Sequence, residues 1–178
     1  YALGAYQSIE YLYANAGATG LTLTGNGLSN SIYGNIGNDT LIGGFGADVL
    51  YGGAGSDSFD YSNYADSTLL SMDTIADFAL GDVIKIGHAF PAGGYQSVSG
   101  SSTGVLANDI ANSITSANFA ANGATLLTLS GMASDAGSYL FINDGNAGFN
   151  SATDAVIKIA TGNTNSVASQ ISASSFAA

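Results

Sequence analysis

The chain has 178 residues, with 13 acidic side chains against 2 basic ones, a net charge of −11 and no cysteine. Disulfides and thiol chemistry are therefore excluded, and with arginine absent and Lys85 and Lys158 standing alone there is no basic patch for a nucleic acid. No run approaches the roughly 18 uninterrupted apolar residues of a membrane helix, while a 46% hydrophobic content at this length is enough for one buried core. Twelve of the acids are Asp, whose short side chain suits tight turns. Such a charge repels itself in a compact state until cations neutralise it.

The first ten residues, YALGAYQSIE, lack the basic region and apolar run of a signal peptide. The absence of an initiator Met suggests a fragment or the carboxyl-terminal part of a longer protein. Residues 1–24 hold Ile9, Leu12, Leu21 and Leu23 among small residues, and are expected to form irregular leading coils. Leu23 lies nine residues before Ile32, so the coil is expected to begin ahead of the recognisable repeats.

From Gly25 to Asp60 stand four nine-residue units in tandem: GNGLSNSIY, GNIGNDTLI, GGFGADVLY and GGAGSDSFD. The last two match G-G-x-G-x-D-x-U-x, with U a large apolar residue, and the second departs at Asn35. Glycines at the first, second and fourth positions are expected to take positive φ and turn carbonyls inward, and the sixth position supplies a carboxylate. The last three residues make a short strand whose eighth-position residue (Ile32, Leu41, Leu50, Phe59) points into the core. Two units complete a coil, so like turns should stack every 18 residues: Asn30 with Asp48, Asp39 with Asp57, and Asp48 with Asp66. Stacked strands lie about 4.8 Å apart, and calcium accepts oxygens at about 2.3–2.6 Å, so an ion fits between two such turns.

This pattern resembles the RTX (repeats-in-toxin) family, whose hemolysin-type nonapeptides form a calcium-binding parallel β-roll. The resemblance implies an all-β fold: a right-handed parallel β-roll over residues 25–69, with residues 70–178 as a β-rich cap. It implies Ca2+ as the cofactor, bound by the second, fourth and sixth residues of one turn facing the first, third and sixth of the turn two units on. One site would use Asn35, Gly37 and Asp39 with Gly52, Ala54 and Asp57; a second, Gly44, Gly46 and Asp48 with Tyr61, Asn63 and Asp66. Gly53 and Gly55 hold the corresponding places in the fourth unit. An earlier site, Asn26, Leu28 and Asn30 with Gly43, Phe45 and Asp48, is expected to be weak or empty, because Asn30 is uncharged and Leu28 replaces glycine.

After Asp60, the stretch Asp73, Ile75, Asp77, Phe78, Gly81 and Asp82 resembles the D-x-I-x-D-F-x-x-G-D segment that closes the roll in RTX proteases. Asp77 is a candidate further ligand, and a solvated capping turn is the alternative. The family carries one more residue before the last acid and an acid in place of Lys85, which sets Asp82 apart. Residues 88–134 read as an insertion in the cap. Leu106, Ile110 and Ile114 suggest a short helix, and Thr125–Leu129 a strand. Tyr139–Ile142 and Ala155–Ile159 are further strands, joined by a loop whose Asn143, Asp144 and Asp154 form either a solvated hairpin or another metal loop. The carboxyl end resembles the uncleaved export signal of proteins leaving by type I secretion.

With His88 as the one histidine, no H-E-x-x-H zinc site can be built. Gly100–Gly104, GSSTG, matches the nucleophile elbow G-x-S-x-G around Ser102, but no histidine follows it, so catalysis is not expected. Two readings follow. In the first, the chain is a calcium-folded module of a secreted or cell-surface protein of surface-layer or adhesin type, its partners being calcium ions and further copies of itself or surface polysaccharide. In the second, it is the carboxyl-terminal secretion and folding module of a secreted protease, lipase or alginate epimerase. The scarcity of Lys and Arg and the long cap insertion favour the first.

Overall fold

A nonapeptide that spends six residues on a turn leaves three for a strand, and each such triplet becomes one. The computed structural model describes residues 1–15, 20–89, 91, 94–115, 117–134, 136–146, 148–160, 171 and 173–177. Eight triplet strands come first: β1 (Tyr11–Tyr13), β2 (Thr22–Thr24), β3 (Ser31–Tyr33), β4 (Thr40–Ile42), β5 (Val49–Tyr51), β6 (Ser58–Asp60), β7 (Asp73–Ile75) and β8 (Val83–Lys85). They wind alternately into two parallel sheets, β1-β3-β5-β7 and β2-β4-β6-β8. The outward positions of the triplets are mostly polar or aromatic, with Ile42, Val49 and Val83 as aliphatic exceptions. The inward ones, Leu12, Leu23, Ile32, Leu41, Leu50, Phe59, Ile75 and Ile84, are buried and form one core between the sheets. This is the parallel β-roll that the repeats predict, and Leu23 places its winding ahead of Gly25.

The register changes once. Sixth-position residues stack 18 apart through the repeats (Asn30 on Asp48, Asp39 on Asp57), then 25 apart (Asp48 on Asp73, Asp57 on Asp82). Strand pairing follows, with Leu50 opposite Ile75 and Phe59 opposite Ile84. The expected stacking of Asp48 on Asp66 therefore does not occur. The chain between Tyr61 and Met72 bulges into a loop containing a 3-10 helix, Tyr64–Asp66, which pushes the next sixth-position residue to Asp73.

The cap adds β9 (Tyr95–Ser101), α1 (Leu106–Ser113), β10 (Ala124–Ser130), β11 (Gly137–Ile142), β12 (Ala155–Ile159) and β13 (Phe176–Ala177). β12 pairs in parallel with β7, and β11, β10 and β9 continue that sheet; β13 extends the other along β8. The expected helix and the three expected strands of this region are present. β9 was not foreseen. It is an edge strand with largely exposed side chains, and its sequence YQSVSGS has one aliphatic residue to mark a period. β10 and β11 bury both faces, one against the roll core and one against Ile110 and Ile114 of the α1 region, with Phe119, Phe141 and Val156. Ser67 ties the bulge to the cap: its hydroxyl donates to the Val156 carbonyl at 2.6 Å and accepts from Asp73 N–H at 2.9 Å.

Leu50 has no exposed surface and sits at the centre of the roll. Leu50→Ala is expected to cost about 2–5 kcal/mol, read as a lower urea midpoint at saturating calcium. A loss below about 1 kcal/mol would mean that the core does not hold the coils together.

Candidate calcium-binding turns

The turns line the two edges of the roll, and two constraints fix their glycines. Gly37, Gly44, Gly46, Gly53 and Gly55 hold positive φ, as does Asn35 (φ 77), the residue type after glycine that best tolerates the left-handed region. The first-position glycines differ from expectation, since Gly43 and Gly52 do not have positive φ. Their side chain is excluded by proximity. A Cβ on Gly43 would collide with Asp48 Oδ2, and one on Gly52 with Asp57 Oδ2. Between turns the approach is also close: the carbonyls of Asn35 and Gly37 occupy the space of a Cβ on Gly53 and Gly55, and those of Asn26 and Leu28 that of a Cβ on Gly44 and Gly46. Gly52→Ala is thus expected to abolish calcium-dependent folding at millimolar calcium, followed by circular dichroism. A variant that folds as the natural chain does would show that Asp57 Oδ2 can move away.

The sixth-position acids form two ladders. On one edge, Asp39 Oδ1 accepts Leu21 N–H at 2.7 Å, Asp57 Oδ1 accepts Asp39 N–H at 2.8 Å, and Asp82 Oδ1 accepts Asp57 N–H at 2.9 Å. On the other, Asp48 Oδ1 accepts Asn30 N–H at 2.7 Å and Asp73 Oδ1 accepts Asp48 N–H at 2.8 Å. The second oxygens are left over. Oδ2 of Asp39, Asp48, Asp57 and Asp73 is buried and has no hydrogen-bond partner. Burial is the main reason that Asp48 is pushed up to about 7, Asp57 to about 6 and Asp73 to about 8, with neighbouring carboxylates adding to it: Asp66 beside Asp48, Asp82 beside Asp57, and Asp48 beside Asp73. A buried anionic oxygen without a donor is stable only with a proton or a cation.

Asn63 and Asp66 lie in the bulge, where Asn63 Nδ2 donates to Asp66 Oδ1 at 2.6 Å. Tyr61 leads into it, its buried hydroxyl unpartnered and its phenol pushed up by burial and by Asp73. Each residue of the closing segment has a place. Asp73 ends one ladder, and Ile75 and Phe78 are fully buried in the core. Asp77 staples the fourth turn by accepting Gly52 and Gly53 N–H at 2.9 and 3.0 Å. Gly81 has φ 109, and Asp82 ends the other ladder. Lys85 does not stand alone: it pairs with Asp60 at 3.1 Å. Sequence reasoning did not assign Asp73 and Asp82 to the sixth position, yet a signal was available. The triplets Asp73-Thr74-Ile75 and Asp82-Val83-Ile84 repeat the acid-x-apolar order of Asp48-Val49-Leu50 and Asp57-Ser58-Phe59.

Among the described residues no three His, Cys, Asp or Glu side chains form a ready-made metal cluster. Any cation here must draw on main-chain carbonyls as well as carboxylates, which calcium accepts at six to eight oxygens. The orphaned Oδ2 atoms and the carbonyl-lined, side-chain-free approach between turns fit that requirement. Fold and turns together define a calcium-binding β-roll. Residues 24–59 match the RTX calcium-binding nonapeptide repeat in four copies, and these repeats bind calcium ions. No curated protein sequence matches the chain.

The remaining candidates are occupied structurally. Asp154 is fully buried, with Oδ1 accepting Asp144 N–H and Oδ2 accepting Asn150 N–H at 2.9 and 2.7 Å; Asn143 and Asp144 close small turns on Gly145 and Asn146. His88 is half-buried, hydrogen-bonded through Nδ1 to the Tyr64 hydroxyl and through Nε2 to the Asn122 carbonyl at 3.0 Å. The G-x-S-x-G stretch does run from a strand into a helix, but its connection is locked by Asp109, which accepts Thr103 N–H at 2.8 Å and the Thr103 hydroxyl at 2.7 Å. Of the tail ending SASSFAA that resembles an export signal, residues 161–170, 172 and 178 lie outside the described residues, while Ala173–Ser175 form a 3-10 helix and Phe176–Ala177 form β13 along β8.

Proposed function

We propose that the chain is a calcium-gated structural module of a secreted or cell-surface protein, of surface-layer or adhesin type, which folds after export. The reading rests on the four buried Asp Oδ2 atoms that have no donor. On one edge the ion is held by Asn35, Gly37 and Asp39 with Gly52, Ala54 and Asp57. On the other it is held by Gly44, Gly46 and Asp48, with Asp73 in the sixth position of the facing turn and Asp66 beside it. Extracellular modules bind calcium at about 0.1–1 mM, so a cytosol leaves the ladders charged and the chain loose. At about 10 mM calcium a site at the tight end of that range, about 0.1 mM, stands at about 100 times its dissociation constant and contributes about 2.7 kcal/mol, and a few such sites match a domain's margin of about 5–15 kcal/mol.

The test is circular dichroism from chelator to 10 mM calcium (about ten times the upper end of that range), with magnesium as control. A cooperative gain of β signal with calcium alone is expected. A spectrum already folded in chelator at neutral pH would sink the gating.

A further inference from the structure

Beside the calcium edge that holds Asn35 and Gly53, the outer face of the β1-β3-β5 sheet carries an aromatic ladder. Tyr13, Tyr33 and Tyr51 end successive strands, and their rings stack at 4.3 and 4.5 Å with interplanar angles of 8° and 6°. With Asn35, Gly53 and Asp77 they line a groove of about 380 Å³ running across the coils, within the size range of ligand sites. We propose that this groove docks a neutral, hydroxyl-rich polysaccharide strand lying along the roll axis.

The groove's chemistry selects that occupant. Its lining holds no cation, and the formal charge of −11 stays negative when the two matched sites each take up a calcium ion, so phosphate, sulfate and uronate polymers are repelled. A second copy of the chain would bring the same negative surface against itself. A peptide strand gains affinity by pairing with a sheet edge, whereas this ladder stands on a sheet face. A neutral glycan needs neither charge nor edge. It needs apolar surface for its ring C–H groups and polar groups that both donate and accept. Stacked tyrosines supply both at low entropic cost, because each ring is already held by the next. Asn35, whose Nδ2 donates to the Ala14 carbonyl at 3.4 Å, adds its amide oxygen and its second N–H. Asp77 uses two of its roughly four lone-pair sites on Gly52 and Gly53 N–H and keeps the others for hydroxyl donors.

The site rests on the folded, calcium-loaded roll, so the test is made at saturating calcium with circular dichroism as the fold control. Native affinity electrophoresis would use laminarin and dextran as neutral glucans and alginate as the anionic comparison. Retention by at least one neutral glucan is expected, weakened tenfold or more by Tyr33→Ala. If that variant fails to fold, Tyr33→Phe keeps the ring stack and is expected to weaken retention severalfold. The proposal is overturned by retention on alginate alone, by no retention on either glucan, by retention indifferent to both variants, or by Tyr33-dependent self-association in the ultracentrifuge. A chain that folds with calcium yet ignores neutral glucans sinks the groove only; one that ignores calcium sinks the gating.

Discussion

Asp57→Ala is expected to raise the calcium concentration at the folding midpoint at least tenfold. Asp57 sits mid-ladder, with its Oδ1 accepting Asp39 N–H, its own N–H donating to Asp82, and its Oδ2 packed without a donor above Gly52. Truncation removes the carboxylate from the fourth turn and leaves the buried Asp39 N–H unpaired, which by itself costs about 1–3 kcal/mol. A tenfold shift corresponds to about 1.4 kcal/mol, so the lost hydrogen bond and the lost ligand together exceed it. Asp57→Asn separates the two effects. It keeps an acceptor for Asp39 N–H and gives up the charge, so its midpoint should fall between those of the natural chain and the alanine variant. A calcium titration of all three, followed by circular dichroism, makes the comparison. An unchanged midpoint in Asp57→Ala would remove this residue from the calcium site.

The calcium-free chain is expected to be more stable at pH 4.5 than at pH 8. Burial raises Asp57 to about 6, Asp48 to about 7 and Asp73 to about 8, from an ordinary value of 3.8 in the unfolded chain. A raised carboxylate binds its proton more tightly in the folded state, so its stabilisation is complete below the unfolded value and is lost as pH rises through the folded one. The loss should therefore run from about pH 4 to about pH 8, with Asp73 last. Calcium takes over in the same window by replacing the protons: its binding at about pH 5, where the calcium-free chain keeps these acids protonated, should release protons to the solvent, whereas at pH 7 the acids of the loose chain are already ionised and little release is expected. Circular dichroism of chelator-treated protein across this range, with urea midpoints at the acidic pH values where it is folded, and proton release on adding calcium at about pH 5 test both halves. Stability that rises with pH in the absence of calcium would contradict the burial of these acids.

Most of the roll was legible because one sequence period serves two physical demands. The apolar residue at every ninth place sets the core, and the glycines set the turns, so Ile32, Leu41, Leu50 and Phe59 fell into register without further information. The calcium turns were legible in residue type but less so in cause. A first-position glycine looks like a request for positive φ, whereas Gly43 and Gly52 make room for the carboxylate five places on. The step from Asp48 to Asp73 was not legible by counting. Counting assumes an unbroken period, and the loop holding Tyr64–Asp66 absorbs extra residues while the acid-x-apolar triplet resumes beyond it. In the cap, the strands buried on both faces announced themselves by short apolar-rich runs, unbroken in Tyr139–Ile142 and interrupted by Thr128 in β10 and by Lys158 in β12. β9 did not, because an edge strand facing water leaves no pattern.

The alternation of the coils between two sheets makes repeat copy number a matter of odd and even. Tyr33 and Tyr51 close the first and third nonapeptides, and Ile42 and Asp60 close the second and fourth. Removing two consecutive units shortens the roll by one full turn and returns every later residue to its own sheet. Removing one sends every later strand to the opposite sheet, delivers Asp57 to the edge that belongs to Asp48, and scatters the tyrosines. A gene encoding such a chain can therefore grow or shrink by duplication in pairs at little structural cost, while a single-unit change rewrites both faces at once.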